Sequence, residues 1–330
     1  MKKFLTLALA AIMLVMSVFT LASCSNEPET QDPETVTIKA LNANKELTDI
    51  EVPYNPERIA VLDMPALDIL DSLGLGDRIV GSAKVTIEYL TQYNPDDSNG
   101  KIANLGSVKT ADMEQVAACA PDVIFIGGRL SKSYAELEKI APVVYLAVDY
   151  EKGVVESTTA NATAIATMFG KTAEVDAKFS GFQTRIDALK KLLDGKNVLL
   201  AMYNNNALSV MDAESQLNFM VHELGGVNAG ASVTEDFKAA HGTDASWETI
   251  VNLAPEYMFV LDRSTATGAA DEGVMGAREV IENDLVKTMD VYKNGKIVYF
   301  IQHANVWYTS TGGVQALDTM IADLEAALIK

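Results

Sequence analysis

Cysteine is nearly absent from this chain. Only Cys24 and Cys119 occur among 330 residues, so no framework of disulfides is available to hold the fold. Histidine is almost as scarce. His222, His241 and His303 are the whole supply, and none lies at the close spacing of zinc ligands. Basic charge is short too: 26 Lys and Arg face 45 Asp and Glu, a net charge of -19. That balance excludes the basic face on which nucleic-acid binding depends. It leaves a small anionic ligand open, because a few arginines placed together hold an anion inside an acidic protein. Catalytic signatures are missing as well. There is no Gly-x-Ser-x-Gly turn and no Gly-x4-Gly-Lys-Ser/Thr loop. The stretch "GLGDR" at 74–78 follows a helical pattern rather than a strand, the wrong order for a dinucleotide site.

One long hydrophobic run is present, at the start. "MKK" followed by "FLTLALAAIMLVMSVFTLA" has the charge and apolar core of a secretory signal, although the run is nearly long enough to span a membrane. The residues that follow decide for the signal. "LASC", Leu21 to Cys24, resembles the bacterial lipobox, in which the cysteine becomes the lipid-bearing first residue. Residues 1–23 are therefore expected to be a leader and Cys24 a lipid anchor on the extracytoplasmic face of the cell membrane. The segment 24–35, "CSNEPETQDPET", is acidic and free of large apolar residues, and reads as a flexible tether. Cys119 then has no partner in the chain and is expected to be a small buried hydrophobe.

Beyond the tether, with 48% hydrophobic residues, there is apolar material for about two domains. Near-continuous aliphatic runs at 58–63, 78–83, 122–127 and 143–148, then at 197–203, 207–212, 257–262 and 296–301, suit strands buried on both faces of parallel sheets. Helical patterns such as "PALDILDSLGL" (65–75) and "YAELEKIA" (134–141) alternate with them. The fold class is therefore α/β, with two Rossmann-like lobes built on parallel sheets. The first lobe is assigned to 36–152 and the second to 196–330. The segment between, 153–195, contains Val175, Phe179, Phe182, Ile186, Leu189 and Leu193, a single apolar stripe at helical spacing. Thr172 is a plausible N-cap and Gly195 a plausible C-terminal stop. About 20 residues of helix extend about 30 Å, the length of a stiff strut between lobes. An ordinary packing helix fits the same pattern.

A repeat stands out. "MEQVAACAPDVIFIGGR" (113–129) aligns without a gap on "WETIVNLAPEYMFVLDR" (247–263). Glu114 falls on Glu248, Pro121 on Pro255, Phe125 on Phe259 and Arg129 on Arg263. Each unit predicts a short helix, a proline corner, a strand, and an arginine just past the strand's C-terminal end. Ligands of open α/β sheets bind beyond those ends. A single surface arginine needs no such explanation, but the matched pair, among only six arginines in the chain, points Arg129 and Arg263 toward a cleft between lobes. Two further stretches are candidates. "AAHGTDASWE" puts His241 in a loop ahead of the second unit, and "NVWYTSTGG" puts Trp307 and Tyr308 ahead of the last helix. A solvated histidine and a core Trp-Tyr plug are the plain alternatives.

From Val36 to the C-terminus the chain resembles the siderophore-binding lipoproteins of bacterial iron ABC importers, the periplasmic-type binding proteins whose two lobes are joined by one long rigid helix. The resemblance rests on "VPYNPERIAVLDMPALDILDSLGLGDRIVG", "GGRLSKSYAELEKIAPVVYLAVD", "AHG", "PEYMFVLDR" and "VWYTSTGG…LDTMI", and is nearest to the catecholate, petrobactin-type branch. It implies a non-enzymatic monomer without a cofactor of its own. A ferric siderophore would be its ligand, and an ABC permease with its ATPase its partner. It implies that His241 and Tyr308 complete the iron's coordination, that Arg129 and Arg263 offset the ligand's negative charge, with Trp307 beside them, and that Glu114 and Glu248 dock on the permease. A hard Fe(III) suits a phenolate oxygen and also accepts imidazole. The chain departs from the pattern twice: Gln216 stands where relatives commonly carry a third arginine, and Val306 where a tyrosine usually precedes the tryptophan. A haem or corrinoid binder of the same architecture is the nearest alternative. A secreted metal-dependent hydrolase using His241 and a surface adhesion lipoprotein are more remote.

Overall fold

The computed structural model describes residues 34–98, 100–234, 242–268 and 273–329; Cys24 lies outside them. Residues 35–330 form one compact unit built on two sheets. The strands of the first are β1 (Thr35–Leu41), β2 (Leu47–Pro53), β3 (Ile59–Leu62), β4 (Ile79–Ser82) and β5 (Ala103–Asn104). After a small hairpin of β6 (Gly106–Ser107) and β7 (Thr110–Ala111), β8 (Val123–Ile126) and β9 (Val143–Tyr145) complete that sheet. Its order is β2-β1-β9-β8-β3-β4-β5. The second sheet holds β10 (Asn197–Asn204), β11 (Ala207–Val210), β12 (Val227–Asn228), β13 (Thr243–Asp244), β14 (Tyr257–Asp262) and β15 (Ile297–Phe300). It runs β13-β11-β10-β14-β15, with β12 also on β10.

Every strand expected from the apolar runs is present. The all-parallel expectation needs correction at the edges. β9, β8, β3, β4 and β5 are parallel, as are β10, β14 and β15, but β1 pairs antiparallel with both β2 and β9. β11 returns antiparallel along β10. The β1–β2 hairpin escapes a search for apolar runs because its residues alternate between exposed and covered positions, as one-sided edge strands do. β1 begins at Thr35, the last residue assigned to the tether.

The helices used below are α1 (Met64–Ser72), α2 (Met113–Ala118), α3 (Val154–Met168), α4 (Thr172–Leu193), α5 (Trp247–Leu253), α6 (Ala304–Thr309) and α7 (Val314–Leu328). α4 is the long helix of the apolar stripe, with Val175, Phe182, Ile186, Leu189 and Leu193 buried. It begins at Thr172 itself and is followed by Gly195 at φ 71. Its stripe packs on α3 and α7. Arg185 on α4 adds a two-pronged bond to Glu325 of α7, Nε at 2.9 Å and Nη2 at 2.7 Å.

Strand periodicity explains why the two halves share a core. Successive residues of β10 point to opposite faces. Val198, Leu200 and Met202 join the large cluster that contains β3, β8, α1 and α7, whereas Leu199, Ala201 and Tyr203 face a separate cluster with Ile250 of α5. The last helix crosses the sequence boundary between the expected lobes. α7 packs against α1 of the first half, and its N-terminus is held there by a carboxylate. Asp68 Oδ1 accepts from Gln315 N at 2.8 Å and Oδ2 from Ala316 N at 3.0 Å. Tyr89 OH donates to Oδ2 at 2.6 Å. A Cβ on Gly313 would sit 2.5 Å from Asp68 Cγ, so glycine there is a condition of the close approach. The reverse link exists as well: Glu223 of the second half accepts from Val155 N at the start of α3, 2.9 Å.

Burial pushes Asp68 from 3.8 up to about 6, against the pull of the hydrogen bonds it accepts. The folded state therefore holds the extra proton between those values, and stability falls as pH rises from about 4 to 6. Asp68→Ala is expected to remove that segment of the pH profile. It should also cost about 2–4 kcal/mol, because two helix N–H groups and a buried phenol lose their acceptor. Urea denaturation at pH 4 and pH 6.5 measures both effects.

Candidate functional site

The repeat is real in three dimensions. Asp112 caps α2 by accepting from Gln115 N, and Ser246 caps α5 by accepting from Thr249 N, both at 3.1 Å. Ala120 and Ala254, each ahead of its proline, both take φ 43, a left-handed conformation uncommon for a residue with a Cβ. The chain then enters β8 or β14. Arg129 and Arg263 emerge just past the C-terminal ends of those strands.

Both arginines reach one ring. The Arg129 Cζ lies 5.7 Å from the centroid of Tyr308 and the Arg263 Cζ 5.6 Å from it. Arg263 is anchored: Nε donates to Tyr308 OH at 2.9 Å and Nη1 to Asn204 Oδ1 at 2.7 Å. Arg129 is exposed and has no hydrogen bond or ion pair among the described residues, so its guanidinium is available to a ligand. Two guanidinium groups over one ring make a local positive patch in an acidic protein and favour the ionised form of a catechol that a ligand brings there.

A cavity of about 250 Å³ opens at this point. Its first-half wall comes from the segments after β3, β8 and β9, including Asp63, Gly127, Arg129 and Tyr150. Gln216 and Tyr308 face them from the second half. Asp63 ends the β3 segment by capping α1, its Oδ2 accepting from Ala66 N at 3.1 Å. Burial pushes its carboxyl up to about 7 and the Tyr150 phenol up to about 12.

Of the residues expected at the site, Arg129, Gln216 and Tyr308 line the cavity, and Arg263 backs it through Tyr308. Trp307 does not belong there. It is fully buried, stacked on Phe300 with centroids 3.9 Å apart, and its Nε1 donates to Asp323 Oδ2 at 2.9 Å. Neighbouring residues on a helix diverge by about 100°, so α6 presents Tyr308 to the cavity and sends Trp307 into the core. His241 lies outside the described residues. Glu114 and Glu248 occupy matching exposed positions in the first turns of α2 and α5, away from the cavity lining. Sequence reasoning missed Asp63. The signal was an Asp between a buried strand and a Met-Pro helix start, which marks a cap but not a cavity wall. Cys119 is buried and free, as expected. Among the described residues no His, Cys, Asp and Glu cluster suits a resident metal, and no helix is long and apolar enough to cross a membrane.

A family model described as a periplasmic binding protein matches residues 59–303. The chain belongs to that family. Over its full length, and the full length of the relative, it is 34% identical to the petrobactin-binding protein YclQ of Bacillus subtilis. The crystal structure of that protein matches with a TM-score of 0.78, covering 90% of this chain and 100% of the other. The periplasmic catecholate-siderophore binding protein VctP of Vibrio cholerae, 31% identical, matches with a TM-score of 0.77 over 89% of this chain and 100% of that one. The ferric-anguibactin-binding protein FatB of Vibrio anguillarum is 26% identical over 97% of each chain. Both crystal structures share the α/β fold described above.

Because Trp307 is a core residue, Trp307→Phe is expected to cost about 2 kcal/mol of stability, from lost packing and the lost hydrogen bond to Asp323 Oδ2, while Oδ1 keeps His303. Ligand affinity should stay within two-fold. Urea denaturation and a binding titration on the same variant separate the two effects.

Proposed function

We propose that this protein is a lipid-anchored, extracytoplasmic solute-binding protein that captures a ferric siderophore in the cavity at Tyr308 and delivers it to an ABC permease and its ATPase. The observation that carries the reading is the convergence of Arg129 and Arg263, from equivalent places in a repeat, on the ring of Tyr308. A ferric catecholate is anionic and planar at its edges. It gains charge-assisted hydrogen bonds from guanidinium groups and π contacts from a phenol. The petrobactin- and catecholate-binding relatives support the same ligand class. Gln216, uncharged on the cavity wall, leaves one cation fewer than a tris-catecholate would use and favours a less negative chelate.

The protein works as a monomer, carries no cofactor and catalyses no reaction. Cys24 bears the lipid that holds it to the membrane surface. Where the siderophore leaves coordination positions open, the Tyr308 phenolate and the His241 imidazole fill them. Glu114 and Glu248, exposed at matched positions of the repeat, meet basic residues of the permease, one from each half.

Titration calorimetry against ferric catecholates at fixed, modest salt tests the capture. Arg129→Ala and Arg263→Ala should each weaken binding roughly ten-fold or more, the worth of a hydrogen bond to a charged group. Tyr308→Phe should remove the phenolate-to-iron absorption of a tetradentate complex and weaken it more than a hexadentate one. Unchanged affinity in both arginine variants refutes the assignment. Docking is read separately. Glu114→Lys with Glu248→Lys should abolish iron uptake by cells while ligand affinity stays at the wild-type value. Loss of affinity in that double variant would remove the two residues from the docking role.

A further inference from the structure

The cavity contains a charge that the capture of an anion does not explain. Among the described residues that line it, Asp63 is the one carboxylate and Arg129 the one guanidinium. A carboxylate in a cavity for an anionic chelate opposes binding unless the ligand answers it. Capping α1 accounts for the charge only in part: a helix start favours negative charge, but Ser and Asn cap a helix as well as Asp. The cap also uses only one oxygen, Oδ2. The other, Oδ1, accepts no hydrogen bond among the described residues, and the residue lies on the cavity wall. Room for it is made by the neighbouring strand end. A Cβ on Gly127 would sit 2.1 Å from Oδ1, while the φ of Gly127, -109, suits any residue. Glycine at 127 thus serves the space around the carboxylate and not the backbone.

Among the described residues, the ionisable groups around Asp63 are Tyr145, at the end of β9, and Arg129, Tyr150 and Tyr308 on the same cavity. Burial raises the Tyr145 phenol, Ser131 pulls it down, and Asp63 raises it again. With its own carboxyl raised to about 7, Asp63 is part-ionised in the empty cavity near neutral pH, and an arriving cation completes the ionisation.

The geometry points to Asp63 as a specificity residue: its unpaired oxygen receives a protonated amine, so the cavity selects ferric chelates that carry an ammonium group beside an anionic iron-binding head. The inference rests on the siderophore reading and names the ligand class within it. Two ferric catecholate chelates with the same iron-binding head, one with a free amine on its backbone and one with that amine acetylated, distinguish the possibilities. The acetylated form keeps the bulk and an amide but loses the charge. Calorimetry on the full protein should show the amine form binding about ten-fold tighter. Asp63→Asn, which keeps the cap and is checked by its melting temperature, should bring the two affinities together by weakening the amine form and, with the opposing charge gone, tightening the acetylated one. A preference that survives in Asp63→Asn, or equal binding of both chelates by the unmodified protein, overturns the role of Asp63 and leaves siderophore capture standing. Failure of the unmodified protein to bind either chelate overturns both.

Discussion

Tyr308 is positioned by the hold of Asp68 on the turn that follows it. Beside Gln216, the second-half wall of the cavity is made by Tyr308, Thr309 and Thr311, a segment that leads straight into α7. The first two amides that Asp68 binds in that helix belong to Gln315 and Ala316. Asp68 sits one turn and a half along α1 from Asp63, the carboxylate on the opposite wall. A single helix of the first half therefore supports one wall of the cavity at its start and clamps the other wall further along. Such a contact is stiff, since a buried carboxylate surrounded by donors loses all of them at once if the helices separate.

Carboxylates on helix starts recur as the joints of this molecule. Asp63 caps its own helix, Asp68 caps α7 from across the boundary, and Glu223 binds the start of α3 from the other side. The helix N-terminus favours negative charge, while burial raises the pKa of each of these groups. When ionised, these groups are met by helix N–H groups, with the Tyr89 phenol beside Asp68 and the His222 ring beside Glu223. Arg185, by contrast, ties α4 to α7 with a bidentate pair close to the surface, where solvent screening weakens ion pairs.

The acidic chain manages anion binding by locality. Its net charge of -19 is spread over the surface, and the two arginines at the Tyr308 ring act over distances shorter than the screening length of about 8–10 Å. Arg263 is fixed by Asn204 and Tyr308, so it enters the site pre-oriented. Arg129 faces the same ring but makes no hydrogen bond or ion pair among the described residues, and so has its hydrogen-bonding capacity left to offer. The pair combines one rigid and one adjustable cation.

Local patterns determined much of this protein. Buried strands announced themselves as aliphatic runs, the stripe from Val175 to Leu193 announced α4, and the gapless repeat announced that Arg129 and Arg263 would end equivalent strands. These features depend on residues close in the chain, where periodicity and capping chemistry act directly. The tertiary structure alone decided the rest. The hairpin β1–β2 was hidden because an edge strand need not be apolar on both faces. Trp307 and Tyr308, adjacent and equally aromatic, could be told apart only by what each side of α6 meets: Phe300 and Asp323 on one, the cavity on the other. Asp63 and Asp68 look alike in "LDMPALD", yet one opens on the cavity and the other clamps α7. That difference is set by the return of the last helix to the first half, a packing of segments some 250 residues apart, which no local pattern encodes.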